Sequence, residues 1–109
     1  MVTINDSADR VMDALGHQTR RDILHLLRGA SLPVGAIAEQ LPISRPAVSK
    51  HLRILNQAGL VAYDANGTRN IFRLSPSGFQ AARAYLENFW DQALVNFQQV
   101  AEAWDEQDS

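Results

Sequence analysis

PVGAIAEQLPISRPAVSKHLRILNQAGLVAYDANGTRNIFRL, residues 33–74, decides the fold. Pro33 to Leu41 reads as a short helix, and Pro42-Ile43 as a tight turn. Ser44 to Leu60 reads as a second helix closed by a glycine. Ser44 fits the N-cap, where its hydroxyl satisfies an orphan backbone N–H. Pro46 sits in the first turn, where a missing N–H costs nothing. Val61 to Leu74 reads as two strands around Asn66-Gly67, a dipeptide suited to a type I′ turn because both central residues need positive φ. Two helices across a tight turn, followed at once by a basic hairpin, form the layout of a winged helix-turn-helix, a module that reads DNA.

Within the second helix Val48, Leu52 and Leu55 recur at helical spacing and predict the core-facing side. Arg45, Pro46, Ser49, Lys50 and Arg53 then turn outward, and the first turns of such a helix reach base edges in the major groove. Arg45 can fork onto guanine, Lys50 can reach guanine or a phosphate, and Ser49 both donates and accepts. Pro46 or Ala47 can pack on a thymine methyl. His51 lies at the border of the two faces, suited to a phosphate contact or to pinning the helices together. Thr68, Arg69 and Asn70 fall at the hairpin tip, placed for a phosphate or a narrow minor groove, with Arg73 further down the wing.

The net charge of −2 hides a strong segregation. Residues 1–15 carry net −2, residues 16–75 net +5 from eight basic side chains and three acidic ones, and residues 76–109 net −5. Positive potential thus lies on the segment that would meet phosphate.

Outward from the motif, residues 1–6 read as a frayed end. Ser7 is placed to cap a first helix ending near Gly16, with Val11, Met12 and Leu15 as its apolar stripe. A second helix opens at His17-Gln18 or Thr19 and runs through Arg28. From Pro76, with Ser75 as N-cap, one helix of about 28 residues spans about 42 Å. Its apolar positions, among them Leu86, Phe89, Trp90, Ala93, Leu94, Phe97, Val100 and Trp104, fall on one wide face. A 109-residue domain is too small to cover it. The simplest cover is the same helix of a second copy in a two-fold dimer; folding back over its own domain is the alternative.

The chain has no cysteine, which excludes disulfides and thiolate chemistry. It lacks a membrane-spanning apolar run and a secretory signal, so a cytoplasmic protein is expected. The expected architecture is one mainly α domain over residues 1–109 with a small β-hairpin. The helix-turn-helix occupies residues 33–58, the wing 60–75, and helices 7–16 and 76–105 serve dimerisation.

The sequence resembles the ArsR family of bacterial and archaeal transcriptional regulators through ALGHQTRRDILHLL (Ala14 to Leu27), PVGAIAEQL, SRPAVSKHLRILNQAGLV (Ser44 to Val61) and GTRNIFRL (Gly67 to Leu74). The resemblance implies a homodimeric repressor whose first and last helices form the interface, which adds Val11, Met12 and Leu15 to the last-helix stripe. It also implies an inverted-repeat operator and release by an inducer. Many members sense metals through cysteines at the start of the first motif helix, where this chain has Pro33 and Gly35. Others bind zinc with Asp and His between paired last helices, whereas the histidines here are His17, His25 and His51. No metal site and no cofactor are carried over. Phe89, Trp90, Asp91, Ala93, Leu94 and Phe97 look like a subgroup that senses no metal.

The expected partners are double-stranded DNA, a second copy of the chain and a small-molecule inducer of unspecified chemistry, with no membrane. No glycine-rich phosphate loop and no histidine–carboxylate set at metal spacing supports an enzyme. The competing reading is a winged-helix module that docks proteins instead of DNA. The outward cations Arg45, Lys50, Arg53 and Arg69 argue against it.

Overall fold

A computed structural model describes residues 6–108. The elements run α1 (Asp6–Leu15), α2 (Gln18–Leu27), β1 (Leu32–Pro33), α3 (Val34–Glu39), α4 (Arg45–Gln57), β2 (Val61–Asn66), β3 (Arg69–Leu74) and α5 (Pro76–Asp108). Of the end expected to fray, residues 1–5 lie outside the described part, and Asp6 is already helical. Ser7 is therefore inside α1 rather than capping it.

The core is built where the helical periodicities meet. Val11 and Ala14 of α1, Ile23 of α2, Ile37 of α3, and Val48, Leu52 and Leu55 of α4 are all fully buried. Each large aliphatic so buried contributes about 1.5–3 kcal/mol. α4 ends as the glycine at position 59 dictates. Gly59 adopts φ +76°, its N–H donates to the Asn56 carbonyl at 3.0 Å, and the Leu60 N–H reaches back to the Leu55 carbonyl at 3.0 Å. This crossed pair satisfies carbonyls that the helix leaves open, and buried Leu60 lands against the core.

The sheet has three antiparallel strands in the order β1-β3-β2, not the two expected. β1 is a two-residue strand pairing Leu32 with Phe72 and Pro33 with Ile71. Pro33 can occupy it because an edge position spares the missing N–H. The wing turn also differs from the type I′ expectation. Asn66 belongs to β2 and pairs with Arg69, and among the described residues none other than glycine has positive φ. The two loop residues are Gly67 and Thr68, with Gly67 at φ +65°. Positive φ at the first central position alone is the type II′ pattern.

α5 begins by packing on the end of α4. The Gly78 N–H donates to the Gly59 carbonyl at 2.8 Å, which takes the donor that a Ser75 cap would have used. The Ser75 hydroxyl instead lies 3.4 Å from that of Ser77. Among the described residues Ala82 is the last buried one on α5, and beyond it the helix leaves the body. It runs 33 residues, longer than expected, and the molecule measures 71 × 26 × 25 Å. Its radius of gyration, 19.5 Å, far exceeds the roughly 13 Å of a compact chain this long.

Candidate nucleic-acid interface

α4 is oriented by its cap and its core face. The Ser44 hydroxyl accepts from the Ala47 N–H at 3.3 Å, and Pro46 occupies the first turn. With Val48, Leu52 and Leu55 buried, Arg45, Pro46, Ser49, Lys50 and Arg53 are exposed and Ala47 is half-buried. Among the described residues none of Arg45, Lys50, Arg53 and Arg69 has an ion-pair partner. The N-terminus of α4 adds its own partial positive charge to that face.

The wing brings its tip to the start of α4. Thr68, Arg69 and Asn70, all exposed, line an open cleft of about 420 Å³ with Arg45 and with Pro33, Val34 and Gly35. Residues 37 or fewer positions apart in sequence thus meet in one basic recess. Pro33, Val34 and Gly35 were not foreseen at the site; an isolated glycine inside a helical pattern is the signal that marks a close approach. Arg73 is not free for DNA in the same way, since its Nε lies 3.1 Å from Asp64 Oδ2 on the neighbouring strand.

Beneath α4 lies a second unforeseen group. Arg20, counted with the surface positive charge, is 7% exposed. Its Nε donates to the Ala14 carbonyl at 2.9 Å and its Nη2 to the Asp13 carbonyl at 3.2 Å, satisfying the end of α1. Arg21 adds Nη1 to the Leu15 carbonyl at 2.6 Å. Arg20 Nη1 also lies 3.5 Å from His51 Nδ1. An arginine can only donate, so Nδ1 is the acceptor and Nε2 carries the proton. Burial, then the nearby charges of Arg20, His17 and Lys50, lowers the His51 pKa below its ordinary value. The His17 ring, 6.1 Å away, stands at the N-cap of α2 without a capping hydrogen bond, and His25 is exposed.

The stripe expected at a dimer interface divides. Leu86, Phe89, Trp90, Leu94, Phe97, Val100 and Trp104 are all exposed on α5, with Ala93 half-buried among them. Met12 and Leu15 are partly buried against the core. Val11 is wholly enclosed within its own chain; it has no surface to give a partner, because the α1 stripe is consumed by the core.

Comparison with known proteins agrees with this layout. Residues 17–63 match the family described as bacterial regulatory protein, arsR family. The HTH-type transcriptional regulator Rv2034 of Mycobacterium tuberculosis is 43% identical over 97 residues, spanning 89% of this chain and 91% of that one. The chain belongs to the ArsR family. It is a transcriptional regulator with a winged helix-turn-helix DNA-binding fold, not an enzyme. A second relative, the transcriptional repressor SdpR of Bacillus subtilis, is 36% identical over 74% of this chain and 90% of its own. The solution structure of the homodimeric winged helix-turn-helix DNA-binding domain of Mb0332 from Mycobacterium bovis superposes with a TM-score of 0.63. It is 33% identical and covers 82% of each chain. Among the described residues no helix of this ArsR-family chain is long and apolar enough to cross a membrane.

Proposed function

We propose that this ArsR-family chain is a cytoplasmic homodimeric repressor that reads an inverted-repeat operator. The first turns of α4 enter the major groove, and the wing tip touches the flanking backbone. Arg45, Ser49 and Lys50 meet base edges with Pro46 and Ala47. Ser44, His51, Arg53, Thr68, Arg69 and Asn70 meet phosphate or sugar. The observation that carries this reading is the face of α4 itself, where exposed cations that have no ion-pair partner among the described residues sit beside a wing of the same sign. The uncovered apolar face of α5 supports pairing of two copies, and relatives described as a repressor and as a homodimer support the two remaining parts. A two-fold dimer sets its recognition helices roughly 34 Å apart, one DNA turn, or a multiple of it. An inducer would act by changing that spacing.

The test is selection of duplexes from a random library by the purified chain, with its mass in solution measured alongside. An enriched inverted repeat bound by a dimer, with affinity falling steeply between about 50 and about 200 mM salt, supports the reading. No enrichment at low salt from a folded dimer rejects it in favour of a protein-docking module.

A further inference from the structure

Gly35 is the second residue of α3. A glycine there weakens a helix relative to alanine, and its φ is not positive, so backbone freedom does not account for it. The space its missing side chain leaves is filled by Arg45. A Cβ at position 35 would lie 2.9 Å from Arg45 Nη2, 3.1 Å from Cζ and 3.6 Å from Nε. The guanidinium of the first residue of α4 is thus folded back across α3, into the cleft whose far wall is Thr68, Arg69 and Asn70. Among the described residues no acid pairs with it there, so contact and not an ion pair holds this docked position. A methyl group cannot share the space. What it would meet is the mobile end of a long side chain, so the guanidinium yields and the fold does not.

We propose that Gly35 is a specificity-determining positioning residue. By lacking a Cβ it gives Arg45 a resting place between α3 and the wing, and so sets how much of Arg45 is offered to base edges. The inference rests on the reading of α4 as the recognition helix. With glycine, Arg45 divides its time between the docked position and an extended one that reaches the groove. Closing the dock leaves the extended position alone, and the base that Arg45 reads is then discriminated more sharply.

The experiment compares wild type, Gly35→Ala, Arg45→Ala and the double variant on the selected operator and its single-base variants. Binding is followed by fluorescence anisotropy at one salt concentration. Gly35→Ala is expected to raise discrimination about three- to tenfold at one position per half-site, with an unchanged or higher melting temperature. The change should vanish when Arg45 is alanine. Wild-type discrimination in folded Gly35→Ala, or the same change in the Arg45→Ala background, overturns the proposal. A uniform loss on every sequence in Arg45→Ala overturns it too, by showing that Arg45 reads no base. A wild-type chain that selects no DNA rejects the repressor reading itself, and this inference with it.

Discussion

Arg69 and His51 show how differently two basic side chains can serve one surface. Arg69 is exposed at the wing tip and has no ion-pair partner among the described residues, so its charge is available to phosphate, a contact that carries no base information. Arg69→Ala should weaken binding on all sequences alike and reduce the slope of log affinity against log salt by about 0.9; unchanged binding would remove the wing from the interface. His51 is a different case, since its pKa is lowered first by burial and then by Arg20, His17 and Lys50. The unfolded chain then takes up the proton more readily than the folded one. The stability this contributes is intact above the ordinary value of 6.5 and is lost as pH falls through the lower folded value. Melting temperatures from about pH 7.5 to about pH 5.5 should therefore decline more steeply in wild type than in His51→Gln, and parallel curves would refute this. The sequence singled out both residues as candidates for the interface. It could not show that buried Arg20 holds His51, because a charge count does not distinguish a guanidinium in water from one bound to carbonyls 2.9 Å and 3.2 Å away.

At the scale of elements, the legible parts are those whose signals are local. Ser44 as N-cap, the Gly59 stop and the pair of strands β2 and β3 about a glycine turn each follow from a few adjacent residues. β1 was not legible, because two residues have no periodicity and Leu32-Pro33 becomes a strand only through pairing with β3. The Ser75 cap failed for a similar reason: a tertiary neighbour, the Gly59 carbonyl, took the N–H that it needed. That joint between α4 and α5 is tight. A Cβ on Gly78 would fall 2.5 Å from the Ala58 carbonyl oxygen and 2.7 Å from the Gly59 carbonyl carbon, both backbone atoms that cannot rotate away. Gly78→Ala should cost about 1–3 kcal/mol in chemical denaturation, as overpacking does. A variant as stable as wild type would mean that the two helices are not held at this separation.

Over the whole molecule, the division of labour follows the division of charge and apolar surface. The compact part presents cations on α4 and the wing, and α5 carries the acids and the uncovered stripe away from it. The presence of the last helix was legible in its repeating apolar steps, although it runs to 33 residues, past the length expected. That the stripe of α1 turns inward was not, since periodicity finds a face without saying what meets it. Phe97 is 71% exposed in the single chain, so changing it disturbs no core. Phe97→Glu should convert the proposed dimer to a folded monomer in sedimentation, and operator affinity should fall with it. A variant that still sediments as a dimer would locate the contact elsewhere.

The naked stripe of α5 has a consequence for dose. If only the paired form spans both halves of an operator, then below the pairing constant occupancy grows as the square of chain concentration rather than in proportion to it. A cell holding few copies would leave the operator open, and a modest rise in synthesis would close it abruptly. The threshold would then be written in the aromatic residues of one helix, far from any base pair, and tuned by replacing them without altering which sequence is read.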